Sequence, residues 1–298
     1  MDPAPQPVDV VASDPRLDHF RAIRDRELRG TLGLHAVESE RVVRRFLAAA
    51  LRRRVRPMPP RLEPHALLVT PDSCERLSDI TGHFPGLAIY RCADERALHE
   101  ITGYTMHSGA ILLGTRHDDG TIADLAGWLA RAPREAREVI VAFDGITQTD
   151  NVGAIFRNAA SFGARAAILS PRASDPFLRK TLRVSMGRAL DIPWCRAEAS
   201  DWPGCLDVLR RAHGYAIIAA EDTPDAVELA RFSPPARSIV VFGAEQDGVS
   251  RAVLELADAV VKIPMLRAGT ALARDLADDP PSLNVSIASA VILHGLMS

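Results

Sequence analysis

A stretch of twenty residues, Asp144 to Gly163, constrains the fold more than any other part of the chain. The apolar run before it, residues 139–143, is typical of a buried strand, because β-branched side chains dominate it and Asp144-Gly145 ends it with a turn signal. Beyond a polar loop, apolar side chains recur at helical spacing; they are Val152, Ile155, Phe156, Ala159 and Ala160. The stretch therefore predicts a strand–loop–helix unit, from which open α/β sheets are built.

Polar residues at the start of this helix stand where such sheets bind ligands. Asp150 and Asn151 are good N-cap residues, because their side-chain oxygens accept hydrogen bonds from free backbone N–H groups. Arg157 follows Asn151 by six residues and can lie near the same mouth, at the carboxyl end of a parallel strand. From spacing alone, an ordinary strand–helix turn with a surface arginine is an equally good interpretation.

The composition narrows the class of protein without identifying a partner. At 298 residues the chain is long enough for two domains, and its net charge of −2 predicts neither a nucleic-acid nor a membrane partner. Lys180 and Lys262 are the only lysines, so nearly all the positive charge is arginine. Arginine binds phosphate bidentately and stacks on bases, but a compositional bias explains the excess of arginine over lysine equally well. The sequence has no signal peptide, no apolar run of roughly 18 residues and no paired-cysteine motif, so we expect a cytoplasmic protein.

Composition and periodicity divide the first half of the chain into a tail, a domain and a linker. Residues 1–14 are rich in Pro and Asp and are predicted to be disordered. Residues 15–115 predict a small α/β domain, because short strands and helices alternate there, and residues 116–137 predict a linker helix. The predicted helices cover residues 14–28, 39–55, 71–81, 94–102 and 121–137, and the predicted strands cover residues 66–70, 87–90 and 110–113.

The second of these helices belongs to a run of eight arginines, without an acid, between Arg41 and Arg61. Such a run is able to form a patch that faces phosphates. A solvated helix face is an equally good interpretation.

Residues 138–298 form the second predicted domain, with strands at residues 139–143, 166–169, 216–220, 238–242 and 259–263. Helices lie between most of these strands, so the prediction is a parallel sheet covered on both faces. The closing helix, residues 286–297, is apolar on nearly every side. We therefore expect it to be buried or to pack on a second subunit.

Three further stretches follow the later strands of this domain. Gly243 and Gly248 stand on either side of Glu245 and allow a close backbone approach to a ligand. Ile263-Pro264-Met265 ends the next strand, and Ser282-Leu-Asn-Val-Ser286 opens the last helix. Each stretch alone has a structural explanation. None is a phosphate loop or a GxGxxG fingerprint, which disfavours NTPases and nucleotide-dependent dehydrogenases.

In this order and spacing, the motifs resemble those of the SPOUT superfamily of RNA methyltransferases, specifically its SpoU (TrmH-like) branch of ribose 2′-O-methyltransferases. The resemblance covers residues 138–298. Residues 15–115 are more weakly similar to the small L30-like α/β domain with which this family binds its substrate, through residues 33–40 and 101–109. The resemblance implies an α/β fold with a C-terminal trefoil knot, a homodimer, tRNA or rRNA as substrate and S-adenosylmethionine as methyl donor, without a metal ion.

The resemblance also implies a role for particular residues. The donor pocket would be formed by Phe242, Gly243, Gly248, Ile263, Met265 and Leu283. Glu245 and Asn284 would hold the catalytic loop together, and Ser282 would line the site. Asn151 would position Arg157 or the ribose. The family's motif arginine, here Arg157, is the proposed base or hydroxyl activator; because a guanidinium is normally protonated, we favour orientation of the phosphate and the 2′-hydroxyl.

Two departures set this chain apart from the family pattern. Gln148-Thr149 stands where the family commonly has Asp-Pro, which makes the loop entry less rigid. Sixteen residues, Leu266 to Pro281, separate Met265 from Ser282 where the family has a handful; this insertion is a lid, an RNA contact or a block. The rival function is a knotted RNA-binding protein that has lost catalysis. A base methyltransferase of the same superfamily is disfavoured by the Ser-Leu-Asn-Val-Ser stretch.

Overall fold

The computed structural model describes residues 5–21, 33–106, 108–116, 118–265 and 282–298. The insertion at residues 266–281 lies outside this described part of the chain. The chain forms two compact units. The first unit comprises Met1–Asp119 together with Pro176–Asp191, and the second comprises Gly120–Asp175 together with Ile192–Ser298.

The secondary structure alternates between strands and helices along most of the chain. The strands are β1 Val8–Asp9, β2 Leu34–Glu38, β3 Glu63–Val69, β4 Ala88–Arg91, β5 Ala110–Thr115, β6 Glu138–Asp144, β7 Ala166–Leu169, β8 Trp194–Arg196, β9 Ala216–Ala220, β10 Val227–Glu228, β11 Arg237–Gly243 and β12 Ala259–Lys262. The helices are α1 Glu40–Val55, α2 Pro71–Thr81, α3 Glu95–Thr102, α4 Ile122–Arg131, α5 Thr149–Ser161, α6 Arg179–Val184, α7 Cys205–His213, α8 Arg251–Leu256 and α9 Val285–Met297.

The first unit is built on a five-stranded mixed sheet in the order β1–β4–β3–β5–β2. Strands β2 and β3 run antiparallel to β5, whereas β4 runs parallel to β3 and β1. Helix α1 begins where the Ser39 hydroxyl accepts a hydrogen bond from the backbone of Val42, as its sequence predicts. It packs on β2 and β5, and its side chains Val43, Phe46 and Leu47 are fully buried.

The N-terminal region differs from its prediction. Residues 8–9, within the predicted disordered tail, pair in parallel with β4. The helix predicted over residues 14–28 is instead a 3₁₀ helix at Pro15–Phe20, after which Arg21 is extended; residues 22–32 lie outside the described part. Leu17 and Phe20 are both buried, and their spacing of three fits the three residues per turn of a 3₁₀ helix.

Part of the arginine run on α1 is engaged within the first unit. Arg44 pairs with Asp79 at 2.7 Å, and Arg52 pairs with Asp191 at 2.6 Å. Arg53 is 6% exposed and donates to three backbone carbonyls. These three arginines serve the fold, so the phosphate-facing role stays a prediction for the exposed members of the run.

The segment Pro176–Asp191 comes from the sequence of the predicted second domain but packs in the first unit. The carboxylate of Glu38 on β2 accepts from Arg179 and from Arg183, each at 2.8 Å. The hydroxyl of Tyr104 donates to the same carboxylate at 2.6 Å. Helix α6 is therefore tied to β2 by charge-assisted hydrogen bonds. No local sequence pattern in Pro176–Asp191 predicts these bonds, because Glu38 is more than a hundred residues away along the chain.

The second unit is built on a seven-stranded sheet in the order β10–β12–β9–β11–β6–β7–β8, with every pair parallel. This confirms the predicted α/β class with a parallel sheet. The five predicted strands are present, and short β8 and β10 extend the two edges. Strands β11 and β6 lie side by side at the centre, with Gly243 opposite Asp144. The carboxyl ends of β9, β11 and β6 therefore meet at one edge of the sheet.

Two helix boundaries in this unit differ from their predictions. Helix α5 begins at Thr149 after an extended Gln148, so Asp150 and Asn151 lie in its first turn rather than at its N-cap. Helix α4 ends at Arg131 rather than near residue 137, because Pro133 disfavours a helical Ala132.

The predicted turn glycines and the final cap are found where the sequence placed them. Gly145 ends β6 with a φ of +69°, and Gly163 follows α5 with a φ of +75°, in the left-handed region that glycine adopts without steric cost. The Asn284 side chain accepts from the backbone N–H of Ser286 at 2.8 Å and caps α9.

Candidate active site

A cavity of about 440 Å³ opens at the carboxyl ends of β9, β11 and β12 and is closed by the start of α9. All six residues predicted to form a donor pocket line it; they are Phe242, Gly243, Gly248, Ile263, Met265 and Leu283. Glu245, Ser282 and Asn284 line it as well. Its volume falls in the range of about 300–1,000 Å³ that is usual for small-molecule sites.

The two glycines of this cavity let the backbone fold closely upon itself. A Cβ atom on Gly243 would stand 2.0 Å from the carbonyl carbon of Gly248, so no other residue fits there without displacing the loop. The N–H of Gly248, whose φ is +64°, donates to the carbonyl of Ala244 at 2.8 Å. The loop is thus a compact turn whose backbone, rather than side chains, forms one wall of the cavity.

A network of polar side chains joins three loops at the rim of the cavity. The carboxylate of Glu245 accepts from the amide of Asn284 and, at 2.8 Å, from the amide of Gln148. The Asn284 amide also donates to Oδ1 of Asn151 at 3.2 Å. Three of the predicted catalytic residues, Asn151, Glu245 and Asn284, are therefore brought into contact. Gln148, which the sequence marked only as a departure, is a fourth member.

Arg157 lies apart from this network. It is exposed on α5 and is not among the residues that line the cavity. Within residues 5–21, 33–106, 108–116, 118–265 and 282–298, its guanidinium makes no ion pair or hydrogen bond. The structure therefore brings together every predicted site residue except Arg157.

Two carboxylates beside the cavity were missed by the sequence reading. Asp144, at the end of β6, accepts from the indole N–H of Trp202 at 3.0 Å and from the backbone N–H of Ser250 at 2.7 Å. Glu221 follows β9 and accepts from the backbone N–H of Val249 at 2.6 Å. The signal that could have identified both is their position, because each is an acid at the carboxyl end of a predicted parallel strand.

The charge around the cavity is predominantly negative. Glu221, Asp222 and Glu245 line it, and the lining contains one basic residue, Lys262. Lys262 is 3.4 Å from the carboxylate of Asp222 and donates to a backbone carbonyl. An apolar floor beneath an acidic rim fits a ligand that combines an aromatic base with a positively charged centre, as a sulfonium nucleoside does.

Two kinds of feature are missing from the described part of the chain. Its helices include none that is both long and apolar enough to span a membrane. Groups of three or more His, Cys, Asp or Glu side chains arranged to hold a metal ion are likewise not found among these residues.

The sequence matches one family of known proteins over its second half. Residues 138–294 match the model of the SpoU rRNA Methylase family. A protein of Mycobacterium tuberculosis, named as an uncharacterised tRNA/rRNA methyltransferase, is 30% identical over 289 residues, which cover 94% of this chain and 88% of the relative.

Solved structures share the fold over nearly the whole chain. An rRNA methyltransferase from Sinorhizobium meliloti, determined with AdoMet bound, has a TM-score of 0.73 at 19% identity and covers 97% of each chain. The SpoU methyltransferase AviRb from Streptomyces viridochromogenes, in complex with the cofactor AdoMet, has a TM-score of 0.70 at 20% identity over 95% of this chain and 97% of that chain.

Proposed function

This chain belongs to the SpoU rRNA Methylase family of RNA methyltransferases, and on that premise we propose that it transfers a methyl group from S-adenosylmethionine to a ribose 2′-hydroxyl of tRNA or rRNA. One observation carries the proposal. The cavity formed by the two-glycine loop and the start of α9 has Asn151, Glu245 and Asn284 joined in one network at its rim.

The residues of the chain have separable tasks in this reaction. When bound, S-adenosylmethionine supplies a methyl group on a cationic sulfonium, so the protein needs mainly to align the acceptor and assist loss of its proton. The turn from Gly243 to Gly248 forms the wall against which the nucleoside rests. Glu245 and Asn284 fix the rim, and Asn151 orients the ribose.

Arg157 enters the proposal through a homodimer. It is exposed on α5, and the neighbouring helix α9 exposes the apolar side chains Ile287 and Val291 by 53% and 40%. Burial of these side chains against a second copy is favourable, and it would bring the guanidinium of one protomer to the cavity of its partner. There it would orient the RNA phosphate and the 2′-hydroxyl, a task for which the bidentate fork of arginine is suited.

The C-terminal knot is also part of the proposal. Two features support a chain end held deep in the second unit: Asn284 bonds to Glu245 and Asn151 at the loop ends, and Asn158 of α5 donates to the carbonyl of Ser286 at 2.7 Å. We assign RNA binding outside the reacting nucleotide to the small L30-like domain, where Arg41, Arg56 and Arg61 are exposed.

The first test is methyl transfer from methyl-labelled S-adenosylmethionine to unmodified tRNA and rRNA pools, followed by digestion to nucleosides and mass analysis. The expected product is a labelled 2′-O-methylnucleoside. A nucleoside methylated on its base would contradict the ribose assignment. Donor binding without transfer to either pool would point to a missing RNA partner or a narrower substrate. Neither transfer nor donor binding would favour the catalytically silent RNA-binding protein.

A further inference from the structure

The loop of residues 243–250, which we call the donor loop, leaves the sheet between two acidic residues. In the register of the sheet, Gly243 lies opposite Asp144 of β6, and Phe242 lies opposite Ala220 of β9. Asp144 and Glu221 therefore flank the point at which β11 ends. Their placement follows from the parallel pairing of three strands.

Each of these acids holds one of two consecutive backbone amides. Glu221 accepts from the N–H of Val249 at 2.6 Å, and Asp144 accepts from the N–H of Ser250 at 2.7 Å. Both amides precede α8, where backbone N–H groups have no partner within the helix. The two carboxylates thus satisfy donors that the donor loop cannot satisfy by itself.

The carboxylate of Glu221 also lies close to Gly248 of the donor loop. A Cβ atom on Gly248 would stand 2.4 Å from a carboxylate oxygen of Glu221, so a side chain at this position would push that carboxylate away, and the positive φ of Gly248 also disfavours one. The contact joins the carboxylate directly to the turn that walls the cavity.

The two acids differ in their relation to the cavity. Asp144 is 8% exposed, bonds to the indole of Trp202 and is not among the residues that line the cavity. Glu221 is half-buried and lines the cavity beside Gly243 and Gly248. A change at Glu221 therefore acts on the shape of the pocket wall, whereas a change at Asp144 acts also on the core behind it.

We propose that Glu221 is a positioning residue of the donor site. Through the Val249 N–H, its carboxylate holds the donor loop in the shape that receives S-adenosylmethionine. The identity of that ligand rests on the proposed function; the clamp on the loop does not.

The test compares Glu221→Ala, Glu221→Gln and the matched control Asp225→Asn, which removes a charge from an exposed position outside the cavity lining. Binding of S-adenosylmethionine is measured by calorimetry without RNA, and kcat and KM are measured with RNA. Because a hydrogen bond to a charged acceptor is lost, the alanine variant is expected to bind the donor roughly 10- to 100-fold more weakly. KM for the donor rises accordingly, while kcat at saturating donor changes much less.

The glutamine variant separates positioning from general stability. Its amide oxygen can still accept from Val249, so it is expected to recover most of the affinity, and the control to bind as the unmodified protein does. Donor affinity of the alanine variant equal to that of the unmodified protein would overturn the proposal. The proposal would also be overturned if the glutamine variant bound the donor as weakly as the alanine variant and both showed the same fall in Tm.

Amide hydrogen exchange tests the clamp without any ligand. In the alanine variant, the Val249 amide is expected to exchange faster while the amides of β11 keep their protection. Unchanged protection at Val249 would overturn the role of Glu221. A different outcome would separate the two proposals. If the Val249 amide loses protection in the alanine variant but the unmodified protein binds no S-adenosylmethionine, the clamp is supported and the proposed function is contradicted.

Discussion

At the scale of single residues, the site depends on side chains that fix other side chains. Glu245 has both carboxylate oxygens occupied, by Asn284 and by Gln148, and Asn284 at the same time caps α9. Asn151, Glu245 and Asn284 could be identified as candidate site residues from the sequence, because each lies near the end of a predicted strand or helix. Gln148 could not, because its partner is 97 residues away and only the folded sheet brings the two together.

Replacing Arg157 by alanine is expected to reduce methyl transfer by roughly 10²- to 10³-fold, the usual loss when one charged stabiliser of a reacting centre is removed. Donor binding should be nearly unchanged, because the task proposed for Arg157 is to orient the RNA phosphate and the 2′-hydroxyl and not to hold the donor. Transfer assays and calorimetry check the two parts. Arg211→Ala removes the same charge from an exposed position on α7 and should leave transfer unaffected; equal rates in both variants would refute the role of Arg157.

Replacing Gln148 by glutamate is expected to weaken donor binding more than replacing it by methionine. Methionine only removes the 2.8 Å hydrogen bond to Glu245, whereas glutamate also sets two carboxylates against each other. Donor affinity measured at pH 7 and again near pH 5 checks the cause. The glutamate variant should recover as the solution approaches the ordinary carboxyl pKa of about 4–4.5, and the methionine variant should not. Identical pH profiles would contradict repulsion between the two carboxylates as the cause.

At the scale of secondary-structure elements, several strongly patterned segments were predictable, and strands of two or three residues were not. Strands β7 and β9 and helix α2 have the predicted bounds, because apolar runs and helical periodicity report burial directly. Strands β1, β8 and β10 have two or three residues each, too few to show a period. They exist because a neighbouring strand offers free backbone groups.

Helix α6 is held by a feature that makes its stability depend on pH. Burial by itself would raise the pKa of Glu38, but hydrogen bonds from Tyr104, Arg179 and Arg183 outweigh it, so the pKa lies below its ordinary value of 4.5. A lowered carboxyl pKa stabilises the fold above the unfolded-state pKa, and this contribution is lost as the pH falls through the folded-state pKa.

Glu38→Gln is accordingly expected to lower the free energy of unfolding at pH 7 by about 1–3 kcal/mol. The difference from the unmodified protein should shrink as the pH falls below 4.5, the unfolded-state reference. Denaturant unfolding at several pH values measures it. A constant difference across that window would show that the ion pairs with Arg179 and Arg183 do not stabilise the first unit.

At the scale of the whole molecule, helix α9 exposes an apolar face formed by Ile287 and Val291. If the proposed homodimer forms through this face, Ile287→Asp is expected to produce a monomer that still binds S-adenosylmethionine but transfers no methyl group, because Arg157 then has no partner site to reach. Sedimentation analysis and transfer assays check this. Val208→Asp, on α7, introduces the same charge at a valine that is 48% exposed and should leave the dimer intact; a dimeric Ile287→Asp protein would place the interface elsewhere.

The exchange of Pro176–Asp191 between the two units marks the limit of what the residue pattern could predict, and a knot would lie beyond it too. Periodicity and turn residues report local structure and burial, whereas the path of a chain through its own loops is a property of the complete fold. The family resemblance, not the pattern of residues, is what suggested the knot.

The chain passes between its two units three times, after Asp119, Asp175 and Asp191. A fragment beginning at Gly120 would carry Pro176–Asp191 without Glu38, the residue that fixes α6. No single cut therefore yields both units intact, and a chimera that takes its first unit from a relative has to take this segment as well.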